Sequence, residues 1–402
     1  MRFAGCRVHR GLMATEPQRL FTPAFLTLTL CELCYFLAAG LVIGVTPFFV
    51  LGPVGSDAAG LGLAFGAFSV TALVLRPFAG READRGGRRP LLIGGAVGAA
   101  AVILLHALTT DLAALVVLRL ALGVAEACFF VAGFAALADL APPGRSGEAL
   151  SINSLALYLG LALGPVLGEG LLELGGFPLA WLGGSGLALA AVVAAIVLPE
   201  TAPPSAADAP PSPWLHRAAI GPSLALFAGV ATMSGFLLLG ATHAGELGLE
   251  AWSLAFLTFG GTVVGCRLAF ARLPDRVPPL RLAGLALIGC AAGSALYAAA
   301  GDLTTLFAAT VVLGVGVAFL TPAVFAAIFA VVEPAERGSA AGTASAFIDL
   351  AFGLGPIVLG SVASAAGASA AFAVGAVVAL AGAASVAAMP RRGLRQPRTR
   401  PA

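Results

Sequence analysis

Long apolar stretches separated by short polar segments make up most of the chain. Each stretch holds about 20 residues or more, which is enough for a helix to cross a hydrocarbon layer about 30 Å thick. Because backbone polar groups in lipid must be satisfied internally, each stretch is predicted to be an α-helix. The pattern predicts about twelve of them. Their approximate spans are 23–50, 58–79, 90–109, 111–138, 147–172, 176–198, 218–242, 251–273, 280–300, 303–331, 338–365 and 368–389.

The composition agrees with a membrane protein. Of the 402 residues, 59% are hydrophobic and only 10% are charged, whereas a soluble domain is about 25% charged. The first stretch is too long for a cleaved signal peptide, and eleven similar stretches follow it. We therefore predict an all-α membrane protein.

The basic residues, all of them arginine, predict the orientation. With both termini in the cytoplasm, nearly every arginine falls in a cytoplasmic segment, and the opposite loops hold none. This predicts a multi-pass protein of the cell inner (plasma) membrane with cytoplasmic termini. On this reading Arg76 and Arg267 lie near cytoplasmic helix ends, and Arg119 is the only arginine deep in the membrane. The net charge of +2 gives no argument for binding nucleic acid.

Motifs for metal, nucleotide or redox chemistry are lacking. The chain has no HExxH pair and no Walker-type GxxxxGK[ST] sequence. Cys31 and Cys34 form a CxxC, but inside an apolar helix packing is the favoured role. We expect no cofactor and no metal. A membrane enzyme or sensor would need a catalytic constellation or a soluble output domain, and neither is visible, so we expect no enzymatic activity.

An internal repeat runs through the sequence at an offset of about 191 residues. RPFAGREADR at Arg76–Arg85 aligns with RLAFARLPDR at Arg267–Arg276, and the same offset places Gly164 and Pro165 on Gly355 and Pro356. Such a repeat predicts two pseudo-symmetric six-helix bundles that rock around a shared central site. The predicted parts are an N-terminal bundle over 1–198, an exposed Pro- and Ala-rich cytoplasmic linker over 199–217, and a C-terminal bundle with a basic tail over 218–402.

The charged segment GREADRGGRR, residues 80–89, lies between the second and third spans. It resembles the loop signature of the major facilitator superfamily, Gly-x-x-x-Asp-Arg-x-Gly-Arg-Arg/Lys. The resemblance implies a twelve-helix transporter in which this loop latches the two halves together in the outward-facing state. The alternative is a basic loop that only sets topology. In the second copy Ala271 and Pro274 depart from the pattern, which implies a weaker latch. With Asp139 as candidate partner of Arg88, the expected gate comprises Gly80, Asp84, Arg85, Gly87, Arg88, Arg89 and Asp139.

Four ionisable residues are predicted to lie deep in the membrane, where they are functional candidates. Arg119 lies about 12 Å into the fourth helix, and Glu126 follows on the same helix face. Glu32 and Asp349 lie roughly 13 to 17 Å from their cytoplasmic helix ends. RLALGVAEA, which contains Arg119, resembles the family's Arg-x-x-x-Gly signature, whose arginine is linked to proton transfer or substrate binding. We expect all four to serve proton coupling or substrate binding; a structural ion pair or hydrogen-bonded packing is the alternative.

Glycine and proline recur together in the fifth and eleventh spans. GLALGPVLGEG resembles the family's Gly-x-x-x-Gly-Pro-x-x-Gly-Gly signature, which is associated with antiporters and exporters, but Glu169 replaces the last glycine. Small residues let helices approach closely and proline bends them. We expect a hinge there, with plain helix packing as the alternative. The expected hinge residues are Gly160, Gly164, Pro165, Gly168, Gly355 and Pro356.

These features predict a secondary active transporter that exports a small organic molecule by proton antiport through alternating access. A proton-coupled importer of a sugar or other metabolite is the alternative. The expected partners are the small-molecule substrate, protons and the lipid bilayer, with the protein acting as a monomer.

Overall fold

The chain folds into helices throughout the part that the computed structural model describes, which is residues 20–142, 145–202, 215–270, 273–332 and 336–389. No strand occurs within these ranges. The helices are α1 (Pro23–Leu51), α2 (Ala58–Gly86), α3 (Arg88–Leu105), α4 (Leu112–Leu140), α5 (Ser146–Val197), α6 (Arg217–Glu246), α7 (Ser253–Ala269), α8 (Leu273–Arg276), α9 (Pro279–Ala298), α10 (Leu303–Phe329) and α11 (Arg337–Ala388).

Two of the helices have double length. Both α5 and α11 contain 52 residues, and each is broken by glycine: Gly175 and Gly176 in α5, Gly367 in α11. Gly176 and Gly367 have φ of 67° and 87°, which glycine adopts without a steric penalty. Each break divides its helix into a first and a second arm. The sequence predicted separate spans on the two sides of each break, 147–172 and 176–198, then 338–365 and 368–389, and the breaks lie between them or at their boundary.

Nine helices in the described ranges are long and apolar enough to cross a membrane, and α7 is a shorter apolar helix of 17 residues. When each arm of α5 and α11 is counted separately, this part of the chain has eleven such segments, and the shorter α7 brings the number to the predicted twelve or so. The protein is thus a multi-pass all-α membrane protein.

The two ends of the molecule differ in chemistry. Asp57, Asp111 and Asp302 cap the starts of α2, α4 and α10, each accepting a backbone N–H bond of 2.9 Å. We call this the aspartate-capped end. The charged segment between α2 and α3 lies at the other end, which we call the arginine-rich end.

The helices pack as two groups. Helices α1 to α5 pack mainly on one another, as do α6 to α11. The main contacts between the groups are those of α2 with α11 and of the first arm of α5 with α7, with a smaller contact of α1 with α6. Most of the linker (203–214), the basic tail (390–402) and residues 1–19 lie outside the described residues.

Helix α2 is longer than the sequence predicted. It continues past residue 79 to Gly86, because its polar last two turns are mostly exposed and stay helical outside the apolar layer. Arg76 therefore lies ten residues before the helix end, about 15 Å along the axis at 1.5 Å per residue. The prediction that Arg76 lies near a helix end is wrong for this reason. Arg267 does lie near the end of α7, two residues before Ala269.

Candidate transport pathway

An ion pair joins the two groups of helices at the α2–α11 contact, toward the arginine-rich end. Nε and Nη2 of Arg76 lie 2.5 and 2.7 Å from the two carboxylate oxygens of Asp349. Both side chains are largely buried, with 16% and 6% of their surface exposed. The Arg76 guanidinium also lies 4.3 Å from the centre of the Phe130 ring, a cation–π distance. Arg76 was absent from the candidates drawn from the sequence.

Glu126 of α4 lies beside this pair. It is within electrostatic range of both Arg76 and Asp349, and it accepts a hydrogen bond from the Tyr35 hydroxyl. The Tyr35 ring stacks on Phe129, with ring centres 3.8 Å apart and planes 7° from parallel. Tyr35 thereby fixes the carboxylate against α1.

Glu32 of α1 is the third carboxylate of this region. It is within electrostatic range of Glu126, and Asn153 of α5 donates a 2.5 Å hydrogen bond to its Oε2. Oε1 is buried without a hydrogen-bond partner among the described residues. It faces Gly133, where an added Cβ would lie 2.8 Å from that oxygen. Glycine at this position gives the carboxylate room.

A small pocket opens next to Glu32. Its wall combines aromatic rings with a few polar groups, as small-molecule sites commonly do. Glu32 and Asn153 supply the hydrogen-bonding pair described above. The lining residues are Glu32, Phe36, Phe129, Phe130, Phe134, Asn153, Ser154 and Leu157.

The charges of this cluster do not balance. Among the described residues Glu126 and Asp349 share one arginine, Arg76, and Glu32 lies within electrostatic range of Glu126. Uncompensated charge is costly in a membrane interior. The arrangement therefore favours binding of protons or of a cationic group. We refer to these four residues as the acid cluster.

Arg119 does not join the acid cluster. It donates a hydrogen bond to the Thr46 hydroxyl and lies 5.7 Å from the centre of the Phe65 ring. His106 is within electrostatic range of it. Although Arg119 and Glu126 share a helix, the described contacts of Glu126 are with Tyr35 and Arg76. Of the four sequence-predicted residues, the structure brings Glu32, Glu126 and Asp349 together and places Arg119 apart.

The charged loop is held within the N-terminal group. Nε of Arg88 lies 3.1 Å from Asp139, the partner expected from the sequence, and Nη2 lies 3.2 Å from Asp84. Nη1 donates to the Ala83 carbonyl at 2.7 Å. Arg85 is exposed. The expected latch between halves is not among the described contacts of Arg88, all of which lie in one group.

Glu200, just after α5, anchors the same loop. Its carboxylate accepts the backbone N–H groups of Arg88 at 2.9 Å and Arg89 at 3.2 Å, the first residues of α3, and those of Thr201 and Ala202. Partial burial acts to raise the pKa of Glu200, but these N–H groups outweigh it and hold the pKa below its usual value. Gly87 has φ of 98°, and an added Cβ there would lie 2.4 Å from Glu200. The sequence analysis did not single out Glu200; the signal that could have found it is an acidic residue just after the predicted span 176–198.

The fifth-span glycines pack within their own group. An added Cβ at Gly160 or Gly164 would lie about 2.5 to 2.6 Å from backbone atoms of α1, and one at Gly168 would lie 2.8 Å from Val45. Pro165 lies against Gly44 of α1. These residues therefore join α5 closely to α1.

The matching Gly-Pro pair of the eleventh span, Gly355 and Pro356, packs against both groups of helices. Gly355 faces Ser234 of α6, and the Pro356 carbonyl lies 2.3 Å from the position of an added Cβ on Gly62 of α2. The second copy of the charged loop lies partly outside the described residues, which leave out Ala271, Arg272 and the side chains of Pro274 and Asp275.

Contacts between the groups extend to the aspartate-capped end. Ser364 donates a 2.5 Å hydrogen bond to Asp57, and this bond together with the Gly60 N–H lowers the pKa of Asp57. Ser253 of α7 donates to Glu169, the residue that replaces the signature's last glycine. The rings of Phe48 and Trp252 lie 4.8 Å apart. Helices α4 and α10, which end at the arginine-rich end, do not pack together appreciably in the described chain.

The described residues hold no group of three His, Cys, Asp or Glu side chains that could bind a metal ion. The fold and the pocket beside Glu32 define a class: a multi-pass membrane protein with a site between helices. The comparison with known families agrees. A family model described as Major Facilitator Superfamily matches residues 28–303 and 268–402. The chain belongs to the Major Facilitator Superfamily, and it is a transporter of a small-molecule substrate, not an enzyme.

Relatives of similar length support the assignment. An uncharacterized MFS-type transporter of Salmonella typhimurium (strain LT2) is 28% identical over 364 residues, which cover 87% of this chain and 92% of the relative. An uncharacterized MFS-type transporter of Burkholderia mallei (strain SAVP1) is 30% identical over 372 residues, covering 88% of each.

Solved structures share the fold. The human organic anion transporter MFSD10 (TETRAN) has a TM-score of 0.71 and 22% identity, covering 91% of this chain and 100% of that one. The nucleoside transporter NupG has a TM-score of 0.70 and 17% identity, with 91% and 99% covered. A bacterial homolog of the human lysosomal transporter Spinster, in an inward-facing and occupied conformation, has a TM-score of 0.72 and 17% identity, with 90% and 94% covered.

Proposed function

We propose that the protein is a secondary active transporter that exports a small organic molecule in exchange for protons. The observation that carries the proposal is the excess of buried carboxylates in the acid cluster: among the described residues Arg76 faces Glu126 and Asp349, and Glu32 lies within range of Glu126. Such a cluster takes up protons when it faces an acidic compartment and releases them on the other side. Arg119 would serve substrate binding or proton transfer at a second position.

The pocket next to Glu32 supports an amphipathic substrate. Its four phenylalanines would bind an apolar body, while Glu32 and Asn153 would orient a polar group. Because Glu32 belongs to the acid cluster as well as to the pocket, substrate and protons would compete for one carboxylate. Such competition is what exchange requires.

Alternating access would come from motion of two six-helix bundles, residues 1–198 and 218–402, joined by the linker 199–217. The packing of α1–α5 and of α6–α11 into two groups supports this division. The glycines of α5 and α11 that allow close helix contacts would be the hinge positions. The charged loop with Arg88 and Asp139 would be the gate.

The arginine distribution supports a cytoplasmic location of the arginine-rich end and of both termini in the inner membrane. The structure would then be closed toward the outside, where Asp57 meets Ser364 and Glu169 meets Ser253. We expect the protein to work as a monomer.

Proton-coupled import of a sugar or other metabolite is the second candidate. The observation in its favour is Glu169, which departs from the signature associated with exporters and antiporters. The acid cluster serves either direction, because a protonated carboxylate can travel with the substrate or against it.

A two-step experiment distinguishes the candidates. A thermal-shift screen of purified protein against a library of small organic molecules first identifies compounds that raise the unfolding temperature. Proteoliposomes are then tested for uptake of those compounds under an imposed pH gradient. Exchange predicts accumulation when the lumen is acidic, and import with protons predicts it when the outside is acidic. Accumulation that is independent of the pH gradient would contradict both.

A further inference from the structure

The two main contacts between the groups occupy equivalent places in the internal repeat. The offset of about 191 residues places α2 on α7 and the first arm of α5 on the first arm of α11. In the structure α2 packs on α11, and α7 packs on α5. Each repeat thus contributes one helix of each kind, and the two interfaces can be compared residue by residue.

Toward the aspartate-capped end the equivalent pairs are Gly62 with Gly360 and Ser253 with Glu169. An added Cβ at Gly360 would lie 2.9 Å from the Cα of Gly62, so the α2–α11 interface is held there by close backbone packing. At the matching place of the other interface Ser253 donates a hydrogen bond to Glu169.

Toward the arginine-rich end the equivalent pairs are Arg76 with Asp349 and Arg267 with Tyr158. Arg267 reaches across to α5, with Nη1 2.6 Å from the Ser154 hydroxyl and Nη2 3.4 Å from the Tyr158 hydroxyl. Its guanidinium lies 4.6 Å from the centre of the Tyr158 ring. The arginine is the same in both repeats, but its cross-group partner is a carboxylate in one and a phenol in the other.

This difference makes the two interfaces respond differently to protons. Protonation of Asp349 removes the charge that Arg76 binds, whereas Tyr158 and Ser154 offer Arg267 hydroxyl groups and no carboxylate. The charged groups that face Asp349 are Arg76 from α2 and Glu126 from α4. Helices α6, α9 and α10, which also belong to its group, bring no other charged side chain into its range in the described ranges.

We propose that Arg76 is a positioning residue for transport: it holds α2 against α11 while Asp349 is ionised, and protonation of Asp349 releases this interface alone. At the α5–α7 interface Arg267 binds the hydroxyl groups of Ser154 and Tyr158. This interface stays closed when Asp349 is protonated and is the constant pivot. The inference deepens the proposed function, because the motion that it controls is the one that transport needs.

The test is a distance measurement between the two groups that needs no substrate. Spin labels are placed at two exposed residues, Ala138 near the end of α4 and Val331 just after α10. The full chain, with its native cysteines replaced, is reconstituted in lipid nanodiscs. Pulsed electron spin resonance then measures the distance distribution between pH 5 and pH 8. We expect the long-distance population to be about threefold larger at pH 5, because release of the α2–α11 contact lets the two groups separate further at the arginine-rich end.

Substituted variants show which side chains cause the pH response of the distance. Asp349→Asn should show the pH 5 distribution at every pH, and Arg76→Lys, which keeps the charge, should retain part of the response. Arg267→Gln is the matched control at the equivalent position and should keep the full response. Tyr158→Asp places a carboxylate in the second interface and should add a second pH-dependent change.

Several outcomes would overturn the inference. One is a distance distribution that does not change with pH in the labelled protein without further substitution. The others are a full pH response in Asp349→Asn, and a loss of the response in Arg267→Gln as large as that in Asp349→Asn. If the distances do not respond while proteoliposomes still accumulate substrate under a pH gradient, this inference fails and the proposed function stands. If the distances respond to pH but no pH gradient drives uptake, the proposed function fails and this inference stands.

Discussion

Arg76 and Arg88 lie twelve positions apart in the sequence and both bind carboxylates, yet their surroundings differ. Arg88 binds Asp84 and Asp139, both in its own group of helices. Arg76 binds Asp349 of the other group, with Glu126 as a further carboxylate in range. The first network lies at the arginine-rich end, and the second lies deep in α2.

The difference shows what each network can do. An ion pair within one group of helices moves as part of a rigid body and survives a rocking motion unchanged. An ion pair between the groups is strained or broken when they separate, so its protonation state biases the motion. The same side-chain chemistry therefore anchors a loop in one place and couples two bodies in the other.

The largest expected effect follows from Arg76→Gln. Breaking a buried ion pair by removing one partner costs about 3 to 5 kcal/mol, although protonation of Asp349 offsets part of this cost. We expect a lowered unfolding temperature in detergent at pH 8, and a smaller loss in the double variant Arg76→Gln/Asp349→Asn, which leaves no uncompensated charge. A double variant less stable than Arg76→Gln would contradict the ion pair's importance.

A smaller effect is expected for Gly87→Ala in the loop network. Its φ of 98° disfavours any side chain, and the added Cβ would lie 2.4 Å from Glu200, so we expect a loss of about 1 to 3 kcal/mol. Gly94→Ala is the matched control, since an added Cβ at Gly94 of α3 meets nothing within 4 Å. Equal unfolding temperatures for the two variants would show that the loop does not need this turn.

Glu200→Gln removes the charge that accepts the N–H groups at the start of α3. We expect a loss of about 1 to 2 kcal/mol at pH 7. Because the pKa of Glu200 is lowered by folding, its contribution is present above the unfolded pKa of about 4.3 and is lost as the pH falls through the lower folded value. The variant should therefore lose less stability than the wild type between pH 5 and pH 3.

The control for this experiment is Glu173→Gln, an exposed carboxylate of α5. It should leave both the unfolding temperature at pH 7 and its acid dependence unchanged. If Glu200→Gln shows the same acid dependence as the wild type, the carboxylate does not stabilise the loop in the way described.

The smallest effect is expected for Arg119→Gln, which lies outside both networks. Its described contacts are Thr46 and the Phe65 ring, and a buried arginine without a carboxylate partner contributes little net stability. We expect a change of about 1 kcal/mol or less in unfolding free energy, measured by denaturant titration in detergent. A loss as large as that of Arg76→Gln would place Arg119 in a charge network that the described contacts do not include.

The sequence predicted the fold through its apolar stretches, because segment length and hydrophobicity are local properties. It also predicted Glu32, Glu126 and Asp349 as buried functional candidates and Asp139 as the partner of Arg88. It missed Arg76, since the second span was ended where hydrophobicity falls and the helix continues to Gly86. The contacts of Tyr35 and Asn153 depend on packing between distant helices, which one sequence does not encode visibly.

The repeat illustrates the same limit. The offset aligned Arg76 with Arg267, but the partner of each arginine lies on another helix, and only the structure shows that one is Asp349 and the other Tyr158. Glu169 was read as a departure from a signature. In the structure it is a hydrogen-bond partner of Ser253 across the two groups.

The most direct test of the acid cluster is transport by Asp349→Asn in proteoliposomes, with a compound from the thermal-shift screen as substrate. The measurement compares uptake driven by a pH gradient with exchange of labelled for unlabelled substrate at equal pH on both sides. We predict that the variant retains exchange and loses gradient-driven accumulation. Undiminished gradient-driven accumulation in both Asp349→Asn and Glu126→Gln would contradict the role assigned to the cluster.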